Sequence, residues 1–157
     1  MATINLFSSG IFLHITGIAL LAGGTVGSFV TLRQLWKYLP ADQQKATVVF
    51  KITAAYSLFF RIGGALMLIS GFMLLRAFQF AVSKQSWFEI KMGLIVLMIL
   101  NITLLGAPGT KRLGVLLESP TADMLQLSSA KRRMDLFYIL QVAILLLIFV
   151  LGVFKFQ

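Results

Sequence analysis

Three stretches of this chain carry no charged side chain: Met1 to Leu32, Met92 to Thr110 and Leu136 to Phe154. A helix needs about 20 mainly apolar residues to cross a bilayer, so each run can supply one crossing. A fourth stretch, Lys51 to Arg76, is apolar apart from Arg61. Its uncharged part, Ile62 to Leu75, is too short to span alone, so a helix there must carry Arg61 with it. The expected fold class is therefore all-α, an integral membrane antiparallel four-helix bundle. One domain covers 1–157, with helices over about 5–33, 47–80, 88–107 and 134–155. A hydrophobic fraction of 59% and a mean hydropathy of +0.92 agree, since a soluble domain is about half apolar.

The same composition excludes several functions. There is no cysteine, hence no disulfide framework, thiolate metal site or cysteine nucleophile. A net charge of +9 would suit nucleic acid in a soluble domain, but no basic face with interleaved aromatics is available to dock one. Basic residues that flank spans and fix their orientation account for it better. The uncharged start "MATINLFSSG" reads as the beginning of the first span, not a signal peptide. A channel or transporter is disfavoured, because no span carries an acidic residue and no helix pair is clearly broken at mid-depth.

The connections set the orientation. Pro40 and Asp42 mark the start of the second helix, which is expected to project beyond the bilayer before entering it. Trp87 and the phenylalanines of "RAFQFAVSKQSWFE" suit an interface. "GAPGT" is expected to end the third helix, since Gly106, Pro108 and Gly109 are breakers. Ser119 is read as a cap and Pro120 as the first turn of the lead-in to the fourth helix. Connections 1–2 and 3–4 carry Arg33, Lys37, Lys45, Lys51, Lys111, Arg112, Lys131, Arg132 and Arg133, against Arg76, Lys84, Lys91 and Lys155 opposite. That bias puts these connections in the cytoplasm and both termini outside, as for a protein of a bacterial inner membrane. The cluster Lys131 to Arg133 can also touch anionic headgroups.

The chain has one histidine, His14, in the first span. At 1.5 Å per residue it stands about 28 Å from Arg33, near the outer edge of the hydrocarbon. Lys91 opens the third helix and Arg76 closes the second, so three cationic or ligand-capable groups share one leaflet. Arg61 lies about 22 Å inward from Arg76 and belongs to the other. There it either snorkels to the surface or bonds Asn101 or Gln141. Gly10, His14, Gly17, Leu21, Gly24 and Ser28 recur at spacings of three and four, with Gly23 and Gly27 beside them. Such a face serves close helix packing or leaves room for a flat cofactor beside the imidazole. An ionisable group within a span suggests function. One His without Cys or a membrane carboxylate cannot supply the three or four ligands of zinc, and no carboxylate is at hand for a proton relay. A polar residue bonded across helices and a haem axial ligand both remain.

"LHITGIALLAGG" with a following arginine, and "FEIKMGLIVLMILN" at the third helix, resemble the HemJ family of membrane protoporphyrinogen oxidases. They resemble equally the wider group of small four-helix membrane proteins with CopD-like domains. The positions that carry the resemblance are His14, Gly24, Lys91 and Gly93. It implies a b-type haem with His14 as axial ligand to the metal and Lys91 as second ligand or catalytic cation. It also implies oxidation of protoporphyrinogen IX to protoporphyrin IX, with electrons passed towards a respiratory-chain partner. Gly17 and Gly24 would then border the cofactor, and Arg76 is a candidate partner for its propionates. The alternative is a non-enzymatic membrane protein of the same group that binds another ligand, a partner protein or a second copy of itself.

Overall fold

The computed structural model describes residues 2–119 and 123–154. Its helices are α1 (Ala2–Tyr38), α2 (Gln43–Ala77), α3 (Ser86–Asn101), α4 (Ala107–Glu118) and α5 (Met124–Phe154), with a short 3-10 turn at Ala81–Lys84. A single π turn, Ile102–Gly106, joins α3 to α4, so Ser86–Glu118 runs as one rod and four helices are long and apolar enough to cross a membrane. They form two hairpins, α1 with α2 and α3–α4 with α5, and the first is packed far more extensively. One end of the bundle carries both chain termini and the α2–α3 connection. The other carries the α1–α2 and α4–α5 connections and is called the loop end below.

Two boundaries follow from caps. Asp42 accepts the Lys45 backbone N–H at 2.9 Å and starts α2. That hydrogen bond, with the Lys45 side chain 3.2 Å away, holds the Asp42 carboxyl below the usual carboxylate range. α2 stops in a Schellman arrangement: Phe80 N–H donates to Leu75 O and Gln79 N–H to Arg76 O. Gln79 and Phe80 adopt φ of 51° and 60°, a region where glycine would be easier.

The third helix departs from expectation, because "GAPGT" does not end it. Proline at 108 has no N–H for the Leu104 carbonyl. The π turn shifts the ladder by one residue, with Ala107 N–H donating to Ile102 O. Arg133 of α5 reaches across and donates from Nη2 to the orphaned Leu104 O. The glycines serve helix contact: a Cβ on Gly106 would lie 2.6 Å from the Phe137 ring, and one on Gly109 2.7 Å from Met134 Sδ. The glycines thus admit α5 to close contact. Ser119 closes α4 in an extended conformation instead of opening the next helix, and Pro120 lies outside the described residues. Asp123 caps α5 by accepting from Leu125 N–H.

The helices also run further than the uncharged runs. α1 continues past Arg33 to Tyr38, and α2 begins at Gln43. The tightest core lies in these extensions: Leu32, Leu35, Ala46, Leu113, Leu116, Leu117, Ala130 and Met134, joined by Phe137 and Tyr138. The same segments carry Arg33, Lys37, Lys45, Lys111, Arg112, Lys131 and Arg132 on their exposed sides. A charged outside and an apolar inside is the pattern of packing in water, where burial itself drives association. Towards the terminal end many exposed residues are large and apolar, among them Ile15, Leu68, Val96 and Leu146. That is what lipid-facing helices expose, since lipid is as apolar as their side chains.

Candidate functional site

The face of α1 built from small residues is turned to α2. A Cβ on Gly17 would sit 3.0 Å from Met67 Cγ and 3.1 Å from Gly63 O, and one on Gly24 3.2 Å from Phe59 Cβ. Gly10 meets Leu74 and Gly27 meets Tyr56 in the same way. Of the two readings of this stripe, helix packing is the one that occupies the space. Gly17 and Gly24 adjoin α2 backbone and side chains, leaving no room there for a flat ring. Ser28, further along the same face, is buried.

His14 stands at the edge of this face and is half-buried. Its Nδ1 lies 2.9 Å from the Oγ of Ser70, a residue of α2 with no exposed surface. Ser70 in turn donates to the Met67 carbonyl at 3.2 Å. The His14 contact is a hydrogen bond in either direction, and it holds the ring through Nδ1. No further hydrogen bond to the ring occurs among the described residues. An imidazole held through one nitrogen with the other bare is the arrangement found at metal-ligating histidines, where the second partner fixes ring and tautomer.

Ser70 has no counterpart in the sequence reading above. It is the only hydroxyl side chain between Arg61 and Arg76, an isolated polar residue in an apolar run, and that isolation is the signal that could have marked it.

Lys91 comes from α3, yet its ammonium is near enough to His14 for the two to interact electrostatically. Nζ also lies 3.9 Å from the position of a Cβ on Gly152 of α5. Among the described residues α1 and α3 make no close backbone approach, so only the long Lys91 side chain brings the two helices' polar groups towards each other. No carboxylate forms an ion pair with Lys91 among the described residues, and Glu89, two residues earlier, is exposed. The structure thus gathers His14, Ser70 and Lys91 near the terminal end. Arg76 does not join them: it is exposed on the last turn of α2, about 9 Å beyond Ser70 along the axis. Gly93 has open space around it.

Deeper in the bundle, Asn101 donates to Gln141 Oε1 at 3.0 Å and to Phe137 O at 3.1 Å, tying α3 to α5 at the start of the π turn. Asn101 Oδ1 and Gln141 Nε2 are buried without a hydrogen-bond partner among the described residues, and Arg61 is not their partner. It is exposed on α2 and forms no ion pair among the described residues. Nor do three His, Cys, Asp or Glu side chains cluster anywhere in the described residues. A single imidazole suits a group that brings most of its own ligands, as a porphyrin does. Comparison with protein families, curated proteins and solved structures finds no match to this chain.

Proposed function

We propose that the protein is a haem-b-binding membrane oxidoreductase with His14 as axial ligand. The activity to assay first is oxidation of protoporphyrinogen IX to protoporphyrin IX. The observation that carries this reading is the Ser70-held imidazole, with no hydrogen bond at Nε2 among the described residues. In this reading Ser70 fixes the ring plane by accepting from Nδ1–H, so Nε2 would meet iron without first losing a proton. Lys91, a cation without a carboxylate, would pair with a propionate or with a carboxylate of the substrate. Arg76, nearer the membrane surface, is available to a second propionate. The bound haem would supply one-electron chemistry, while the chain supplies ligand, orientation and charge. In this reading the helices cross a bacterial inner membrane with both termini outside, and electrons leave towards a respiratory-chain partner.

One observation favours a second reading, an assembly or partner subunit without catalytic activity. Arg61 stands exposed within a span, with no ion pair among the described residues, where a lone charge is costly, and Gly64 on the same helix has nothing within 4 Å of its Cβ position. A partner helix with a carboxylate would relieve both. Absorption spectra of the detergent-purified protein separate the readings. The oxidase reading expects a Soret band that is lost in His14→Ala, and in Lys91→Ala a retained band with turnover lowered at least about tenfold. A colourless protein from haem-replete cells overturns it and leaves the subunit reading.

A further inference from the structure

We propose that α5 carries a binding site for the headgroup of an anionic phospholipid, in the recess lined by Ser128, Ser129, Arg132, Arg133 and Leu136. The recess has a volume of about 520 Å³. It lies where the charged run Lys131 to Asp135 gives way to the uncharged run that begins at Leu136, the boundary at which headgroups sit against a spanning helix.

Each wall has a separate chemical role. Arg133 is committed elsewhere: it donates to the Leu104 carbonyl freed by Pro108, and its stem lies 3.8 Å from the Cβ position of Gly109. It thus forms a fixed side of the recess and is not the ligand. Arg132, one residue earlier, is exposed and makes no ion pair among the described residues. Ser128 gives its hydrogen to the Leu125 carbonyl, which leaves the Arg132 guanidinium fork and the Ser129 hydroxyl as the donor set for phosphate oxygens. The one nearby carboxylate, Asp135, is not part of the lining.

Below the recess, Leu136, Ile139 and Leu140 on α5 and Leu104 on the π turn expose apolar surface. That surface continues from the donors along the helix, as acyl chains require. Inorganic phosphate would use the donors and leave the apolar stripe uncovered, so an amphiphile with an anionic head is the better occupant. Lys111 and Arg112, exposed on α4, add to the positive field at this end. The inference rests on the bilayer reading of the helices and is independent of haem.

Thermal unfolding of the purified full chain in non-ionic detergent tests it, with phosphatidylglycerol or phosphatidylcholine titrated in. Phosphatidylglycerol is expected to raise Tm of the wild type more than phosphatidylcholine does. Arg132→Gln should weaken that effect about fivefold, the scale of one basic residue at an anionic surface. Ser129→Ala should weaken it in the same direction. Lys37→Gln, also basic and exposed at the loop end but outside the recess, should leave it within about twofold. Haem content, if present, should be unchanged in Arg132→Gln. Equal weakening by Arg132→Gln and Lys37→Gln would show diffuse surface charge and overturn the site. A shift produced equally well by inorganic phosphate would overturn the lipid as its occupant.

Discussion

Gly63→Val is expected to force α1 and α2 apart, while Gly64→Val, one residue on, leaves them together. A Cβ on Gly63 would stand 2.8 Å from the Leu21 backbone nitrogen and 2.9 Å from the Gly17 carbonyl oxygen. Both are backbone atoms of a regular helix, so no side chain can swing aside to relieve the contact. The whole of α1 must shift, and with it the pairing of Gly17 with Met67 and of His14 with Ser70. Overpacking a fitted contact costs about 1–3 kcal/mol and more where the backbone must move; Gly63→Val belongs at or above the top of that range. A Cβ on Gly64 meets nothing within 4 Å, and removing a helical glycine offsets part of any loss. Its effect should stay within about 1 kcal/mol. Unfolding by SDS titration from a mild detergent checks both. The same samples report on the site, because a separated α1 loses the Ser70 contact at His14.

The second large effect is expected outside the span. Leu113 on α4 is fully buried in the loop-end core with Leu35, Ala46 and Met134. Leu113→Ala removes apolar area from a water-driven core and leaves a cavity, for which about 2–5 kcal/mol is the usual cost. Leu146 lies in the most apolar span and is 59% exposed, so in a bilayer it faces lipid on most of its surface. Leu146→Ala exchanges lipid contact for lipid contact and is expected to cost less than about 1 kcal/mol. The contrast runs against the usual intuition that the most hydrophobic part of a chain holds it together. Unfolding in proteoliposomes, followed by tryptophan fluorescence, distinguishes the two, since Trp36 packs against this core.

The four long helices were legible because charge is excluded from their central runs, and that exclusion is a local property of sequence. Their ends were not legible by the same rule. Past Arg33 in α1 and before Lys51 in α2, charged residues continue the helix, since their neighbours Leu35 and Ala46 have a core to enter. The breakers at 106–109 were read correctly as residues and wrongly as a stop. Pro108 frees one carbonyl, and whether that ends a helix depends on a donor from elsewhere, here Arg133, 29 residues away. The small-residue stripe of α1 was visible in its spacing, and its occupant, α2, was one of the two readings open. His14 stood out as a lone imidazole. Its hydrogen-bond partner did not, because Ser70 lies 56 residues off and only the α1–α2 pairing brings it near. The approach of Lys91 to His14 was expected from depth alone, while the α2 packing of Gly17 and the distance of Arg76 from the site needed the helices' rotations.

The most direct test of the account is to take the ligand away and give it back. His14→Gly removes the imidazole and leaves a space beside Ser70, and the purified variant is then titrated with free imidazole. Ligation by His14 predicts that the Soret band is lost in the variant and returns as imidazole is added, with Ser70→Ala retaining haem but with a shifted spectrum. A variant that keeps its Soret band without imidazole, or a wild-type protein that has none, would contradict it.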